Sequence, residues 1–238
     1  MRRLQFATFA FAASFIFNVE AMTFRATPPT LYLGGAVVES DRAAWQEAMD
    51  RFGDAFTTIV LHQSGGGDSL TARFIGRDIR KRNFSTAVYG RCSSACATMF
   101  LGGTTRQFAT TVSKSELNVL GYHGSYNKTT KALIKKRSSD YFLEMTDGKM
   151  SEEFIEKFTH LENKKGLLRL IHPAQSLAKK TPLAMLCKGH ELAMRRVEQC
   201  AHLDGVDALE QGVVTTWVLR EILAPPAPSN EKITVKSW

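Results

Sequence analysis

Hydrophobic positions along this chain change period several times, and each change marks an element. Leu31 to Glu39 reads as a strand with a bend at Gly34-Gly35, and Ser40 or Asp41 then caps a helix to about Phe52. In that helix Trp45, Ala48, Met49 and Phe52 fall on one face. Thr57 to Leu61 is a continuous apolar and β-branched run, the mark of a strand covered on both sides. Asp68 or Ser69 caps a second helix to about Arg82, with Ala72, Ile75 and Ile79 facing inward. Ser85 to Tyr89 is the next strand, Ala95 to Leu101 the next helix, and Glu116 to Tyr122 a further strand. Strand and helix alternate, so an α/β fold with a largely parallel sheet and helices packed outside is expected.

From Thr130 onward the pattern becomes mainly helical. Ser151-Glu-Glu-Phe starts one helix, and Pro173 and Pro182 interrupt the chain beyond it. Asp207 to Thr215 reads as a short helix stopped by Gly212 and leading into a strand.

The ends have their own character. Arg2 and Arg3 precede an apolar run from Leu4 to Phe17, and Val19-Glu20-Ala21 fits signal-peptidase cleavage after Ala21. Residues 1–21 are therefore expected to be a signal peptide, and no other segment is long and apolar enough to cross a membrane. About 217 residues remain, one domain's worth by length, with residues 22–224 as the folded unit. Residues 225–238 begin Pro225-Pro-Ala-Pro-Ser and read as a flexible tail. The expected location is periplasmic or secreted.

Charge changes this picture little. The net charge of +8 includes Arg2 and Arg3, and the visible cluster is Lys128 to Arg137. It lacks interleaved aromatics and any nucleic-acid motif, so a solvated surface is the simpler reading. Four cysteines in an exported chain point to disulfides among Cys92, Cys96, Cys187 and Cys200. Cys187 and Cys200 flank the helical stretch 189–199, and a bridge there closes a loop worth about 3 kcal/mol in the entropic model. A bridge at Cys92 or Cys96 would pin the turn around Ser94. Three pairings are open.

The chemistry concentrates at three strand ends. Val60-Leu-His-Gln-Ser-Gly-Gly-Gly67 puts a glycine-rich turn after one strand. Gly90-Arg-Cys-Ser-Ser-Ala-Cys96 puts Ser94 where a strand hands over to a helix, and Val119-Leu-Gly-Tyr-His123 ends a third strand on a histidine. Open parallel sheets bind ligands at such ends. A serine hydroxyl needs a base, and histidine is the usual one. Backbone donors for an oxyanion are available from Ala95 at the helix start, and from Gly66 or Gly67, where only glycine lets the backbone approach closely. There is no His-Glu-x-x-His, no histidine cluster at ligand spacing, no phosphate-loop lysine and no calcium loop, so neither a metal nor a cofactor is expected.

Gln63-Ser-Gly-Gly-Gly67, Gly90-Arg-Cys-Ser-Ser-Ala-Cys96 and Gly121-Tyr-His123 together resemble the Clp protease proteolytic subunit of the ClpP/crotonase superfamily, and are most similar to its exported bacterial branch with a Cys-x-Ser-Ala-Cys motif. The resemblance runs from about Leu31 to Tyr126, with an echo at Ala208 to Thr215. It implies a spiral of ββα units with a mainly helical C-terminal region, and assembly into trimers or rings. It puts Ser94 on the nucleophile, His123 on the base, and Gly67 and Ala95 on the oxyanion donors. The family's orienting aspartate has no single match. Spacing from Ser151 points to Glu162, whereas alignment from the echo points to Cys200 with Asp204 close by. A Ser-His pair oriented by a backbone carbonyl is a third arrangement. The segment from Asn163 to Gly189 has no counterpart. Two function classes result: an exported serine hydrolase, a peptidase on peptide or protein substrates, or a binding and assembly protein of the cell envelope that kept the fold and lost efficient chemistry.

Overall fold

The computed structural model describes residues 21–112, 117–127, 129–130, 132–134 and 139–225. The apolar N-terminal run, the cations of the Lys128–Arg137 cluster and the chain after Pro225 lie outside the described residues. No helix of the described residues is long and apolar enough to cross a membrane.

Strands and helices alternate as the periodicity predicts. A hairpin, β1 (Thr23–Thr27) and β2 (Thr30–Val37), leads into α1 (Asp41–Phe52). Next come β3 (Thr58–Gly67), α2 (Ser69–Lys81), β4 (Ser85–Ser93), α3 (Ala95–Phe100), β5 (Arg106–Thr110) and β6 (Val119–Tyr122). A small ribbon, β7 (Ser125–Tyr126) with β8 (Leu133–Ile134), precedes α4 (Ser139–Met145) and α5 (Glu152–Thr159). The chain continues through β9 (Leu167–Ile171), α6 (Pro173–Lys179), β10 (Ala184–Cys187), α7 (His190–Ala193), β11 (Ala201–His202) and β12 (Arg220–Glu221).

The central sheet runs β1-β2-β3-β4-β6-β9-β10-β11, with β5 on β4 and β12 on β5. Pairings from β2 through β6 are parallel; β1 and the outer strands β9, β10 and β11 are antiparallel additions. Apolar side chains of α1, α2 and α3 cover one face. Trp45, Ala72, Ile75, Ile79, Met99 and Phe100 are fully buried there, as the helical spacing requires.

The sheet forks at β4. Its first half pairs with β5 through Thr86, Ala87 and Val88, and its second half pairs with β6 through Arg91, Cys92 and Ser93. Buried Asn118 holds the fork open: its Oδ1 accepts from the Gly90 N–H at 2.6 Å and its Nδ2 donates to the Ala109 carbonyl at 2.5 Å. Ser94 is presented at the end of the half that β6 supports.

Several expectations are revised. The glycine run is not a turn. Gln63 takes a positive φ and the register slips, but β3 then resumes, pairing Gly66 and Gly67 with Ala36 and Val37 of β2. Gly67 has no room for a side chain, since a Cβ would stand 2.0 Å from the Val37 carbonyl oxygen. The polar stretch after Tyr89 is likewise strand, continuing β4 to Ser93. Among the described residues after 130 helices outweigh strands, yet β9 and β10 within the unmatched 163–189 segment extend the sheet. Residues 207–215 form turns, not a helix. The Asp207 carboxylate accepts from Leu209 and Glu210 N–H, and the turn docks where Arg106 donates to the Gly212 and Val213 carbonyls. At α1, neither predicted cap closes the helix: Ser40 makes no capping bond, and Asp41 accepts from Val38 N–H instead.

Candidate functional site

Ser94 is where β4 becomes α3. It has φ 58° and ψ −124°, a positive-φ conformation that a non-glycine residue adopts only under constraint. Its N–H donates to the Gly121 carbonyl of β6 at 2.7 Å, and its carbonyl accepts from Thr98 N–H at 3.0 Å. The Ser94 side chain makes no capping bond to α3. A disulfide joins Cys92 to Cys96 across the residue, and both cysteines are fully buried. Cys187 and Cys200 form the second disulfide. Of the three open pairings, the two local bridges are formed.

Ser94, Ala95, Gly67 and His123 line one cavity of about 740 Å³. α2 adds Leu70 and Arg73 to its wall, the β7–β8 ribbon adds Tyr126 and Ile134, and Lys164 stands at its rim. The structure thus brings together the four residues that three distant sequence segments offered. Asp68 also faces the cavity, but its carboxylate accepts from Thr71 N–H at 2.8 Å and serves as the cap of α2. Gly66 N–H is engaged by Ser64 Oγ at 3.2 Å, and Gly66 is not among the lining residues. The first N–H groups of a helix have no acceptor within it, which applies to Ala95 at the head of α3.

His123 comes directly after β6. Its Nδ1 donates to the carbonyl of the next residue, Gly124, at 2.5 Å, which leaves Nε2 as the proton acceptor of a neutral ring. Burial pushes the imidazole pKa below its ordinary value, and the Gly124 contact only partly offsets this. The ring of Tyr126 lies 5.5 Å away, and the Tyr126 hydroxyl reaches the Leu161 and Asn163 carbonyls. Gly124 must be glycine, because a Cβ would stand 2.3 Å from the Thr159 carbonyl oxygen at the end of α5.

No predicted third member reaches the histidine. The 161–163 segment does approach this region, but it is held there through backbone carbonyls; Glu162 is exposed and does not line the cavity. Asp204 is exposed beyond β11, three strands from β6, and Cys200 is bonded to Cys187. The partner at Nδ1 is Gly124, a backbone group with no signature in sequence. Asn118 is a further residue that sequence reasoning did not single out. A polar residue opening an apolar strand, Asn118-Val-Leu, was the available signal, and it is fully buried with three bonds.

No family model matches the chain, and no curated protein sequence matches it significantly. Solved structures do resemble it. An enoyl-CoA hydratase of Mycobacterium ulcerans Agy99 aligns at 10% identity over 80% of this chain and 86% of its own, with a TM-score of 0.41. An enoyl-CoA hydratase of Polaromonas sp. JS666 aligns at 12% identity over 76% of this chain and 77% of its own, with a TM-score of 0.42. A methylmalonyl-CoA decarboxylase aligns at 10% identity over 68% and 67%, with a TM-score of 0.41. These are crotonase-fold proteins. At such scores the likeness says nothing of activity.

Proposed function

We propose that this protein is a serine hydrolase acting on peptide or protein substrates outside the cytoplasm. One observation carries the reading: constrained Ser94 and neutral-favoured His123 share one cavity, with the Nδ1 of His123 already committed to Gly124. Nε2 is then the group that takes the Ser94 Oγ proton as Oγ bonds to the substrate carbonyl carbon. The carbonyl oxygen takes up the electron pair, and the Gly67 and Ala95 amides are the donors proposed for it. The imidazolium returns the proton to the leaving amine as the C–N bond breaks. Water repeats the sequence on the acyl-enzyme and frees Ser94.

Two disulfides and the apolar leader read in sequence support export. Residues 22–224 are the proposed mature domain, and assembly into a homo-oligomer rests on the resemblance alone. A fluorophosphonate probe tests the chemistry: it should label Ser94 in peptide mapping, and Ser94→Ala should abolish both labelling and hydrolysis. Absence of labelling and of turnover would end this reading.

A specific observation favours a second class. The position that would carry an orienting carboxylate is held by the uncharged Gly124 carbonyl, an arrangement suited to a binding protein that has lost efficient chemistry. That class expects ligand affinity that survives Ser94→Ala and no serine labelling in the wild-type chain.

A further inference from the structure

α2 separates two cavities. Its buried stripe, Thr71, Ala72, Ile75, Gly76 and Ile79, faces the core. Its outer stripe runs Leu70, Arg73, Phe74, Arg77 and Lys81 at helical spacing. Leu70 and Arg73 line both the Ser94 cavity and a second cavity of about 570 Å³, so the two adjoin along these side chains. Tyr141 walls the second cavity. The Arg73 and Arg77 guanidinium groups lie 5.5 and 5.3 Å from its ring, and Arg42 of α1 lies 5.7 Å from the Phe74 ring.

The lining is both apolar and cationic. Leu70 is 65% exposed and Phe74 36%, so two large apolar side chains stand open on the same helix face as the basic stripe. Arg42, Arg73, Arg77 and Lys81 line this part, and Lys164 stands at the rim of the first cavity. The acids among them are fewer and partly used up. Asp68 caps α2, and Asp78 accepts from Trp45 Nε1 at 2.8 Å and Arg82 Nε at 2.7 Å. Asp140 is the other acid on the wall of the second cavity. Arg77 is paired with Glu144, and a positive excess remains on the lining as a whole.

We infer that the two adjoining cavities together form the extended substrate groove of the Ser94 site, and that this groove selects peptides carrying acidic side chains next to apolar ones. The inference rests on the hydrolase reading and adds the substrate class. A peptide supplies both features at the spacing of the stripe. From Leu70 to Lys81 the helix rises about 16 Å, the length of about five extended residues. The acidic positions should therefore fall within about five residues of the cleaved bond, all on one side of it.

The test uses fluorogenic peptides in which Glu is moved through five positions on each side of the cleaved bond, with Gln at the same position as the isostere. The readout is the ratio of kcat/KM for Glu over Gln, so overall activity cancels. The ratio should reach about tenfold on one side of the bond at low salt and shrink toward one at high salt. Lys81→Glu, at an exposed position in the last turn of α2, should lower the ratio several-fold, and Arg42→Glu with Lys81→Glu should abolish or invert it. Ser94→Ala protein should bind a labelled Glu peptide more tightly than the Gln peptide, read by fluorescence anisotropy. Cleavage without Glu preference would overturn the groove while sparing the hydrolase. Glu-selective binding without cleavage would overturn the hydrolase while sparing the groove. Displacement of the bound peptide by phosphatidylglycerol vesicles, with no displacement by excess unlabelled peptide, would overturn the peptide assignment in favour of a lipid surface.

Discussion

Gly66 lies directly against Ser94. A Cβ added at Gly66 would stand 2.6 Å from the Ser94 Cβ, 2.6 Å from the Ser93 carbonyl oxygen and 2.7 Å from the Ala95 nitrogen. Gly66 also has φ +91°, a region that costs an L-residue about 1–2 kcal/mol. The glycine run therefore does two jobs: Gly67 closes on β2, and Gly66 supports the Ser94 turn from below. Gly66→Ala should lower the melting temperature by several degrees and reduce fluorophosphonate labelling of Ser94 by tenfold or more. Gly65→Ala, whose Cβ would meet nothing nearer than Arg91 Nη2 at 3.8 Å, is the folding control and should melt close to wild type. A Gly66→Ala protein that labels like wild type would show that the packing beneath Ser94 is not required.

The nucleophile and the base should fail as a unit. Ser94→Ala and His123→Ala should each remove nearly all hydrolysis, and the double variant should be little worse than either single one. Glu162→Gln and Asp204→Asn should each stay within about twofold of wild type, because both residues are exposed and lie outside the cavity. A loss approaching 10⁴ in either, the scale of removing an orienting carboxylate in a known triad, would overturn the assignment of Gly124 as the partner of Nδ1.

The two disulfides should have different consequences. Cys187–Cys200 closes the longer loop and is worth about 3 kcal/mol in the chain-entropy model, against about 2 for Cys92–Cys96. Replacing Cys187 and Cys200 by Ala should cost stability in denaturant titrations and leave Ser94 labelling intact. Replacing Cys92 and Cys96 by Ala should reduce labelling out of proportion to the stability lost, since that bridge spans the Ser94 turn. Non-reducing peptide maps of exported protein should contain both local bridges and no thiol.

Local physics made much of this legible. The stripe of α2, its Asp68 cap and the fully buried run of β3 each carry their own signature in sequence, and so does a serine between a strand and a helix. The hidden features were set by distant partners. β5 opens with buried Arg106 and Gln107, a poor strand by composition. Arg106 is tolerated because the carbonyls of Gly103, Gly212 and Val213 satisfy it, two of them from more than a hundred residues away. Leu167 to Ile171 is too short to tell strand from helix by pattern alone, and its antiparallel partners on β6 and β10 decide. Within the site, the contrast is between His123, a residue type that chemistry flags, and Gly124, whose carbonyl carries no sequence signal.

Acid should weaken both activity and fold, through different histidines. For activity, His123 must be neutral to accept the Ser94 proton, and burial holds its pKa below 6.5. Hydrolysis should therefore rise with pH, with a midpoint below 6.5, and be level by neutral pH. For the fold, His62 on β3 is the larger contributor. Its ring is packed edge-on to Tyr32 and lies so close to Gly34 that a Cβ there would stand 2.7 Å from it. Burial, then the charge of Arg25, lowers its pKa from 6.5 to about 4. The unfolded chain takes up this proton first as pH falls, so stability is lost between about pH 6.5 and pH 4, by about 3 kcal/mol at most from this residue. Urea titrations across that range should show the decline, and His62→Gln should flatten it even if the variant starts from a lower stability at pH 7. The same variant should keep the midpoint of the activity profile, because His62 does not line the Ser94 cavity. A profile midpoint that moved with His62, or a stability curve flat from pH 6.5 to 4 in the wild-type protein, would refute this division of labour.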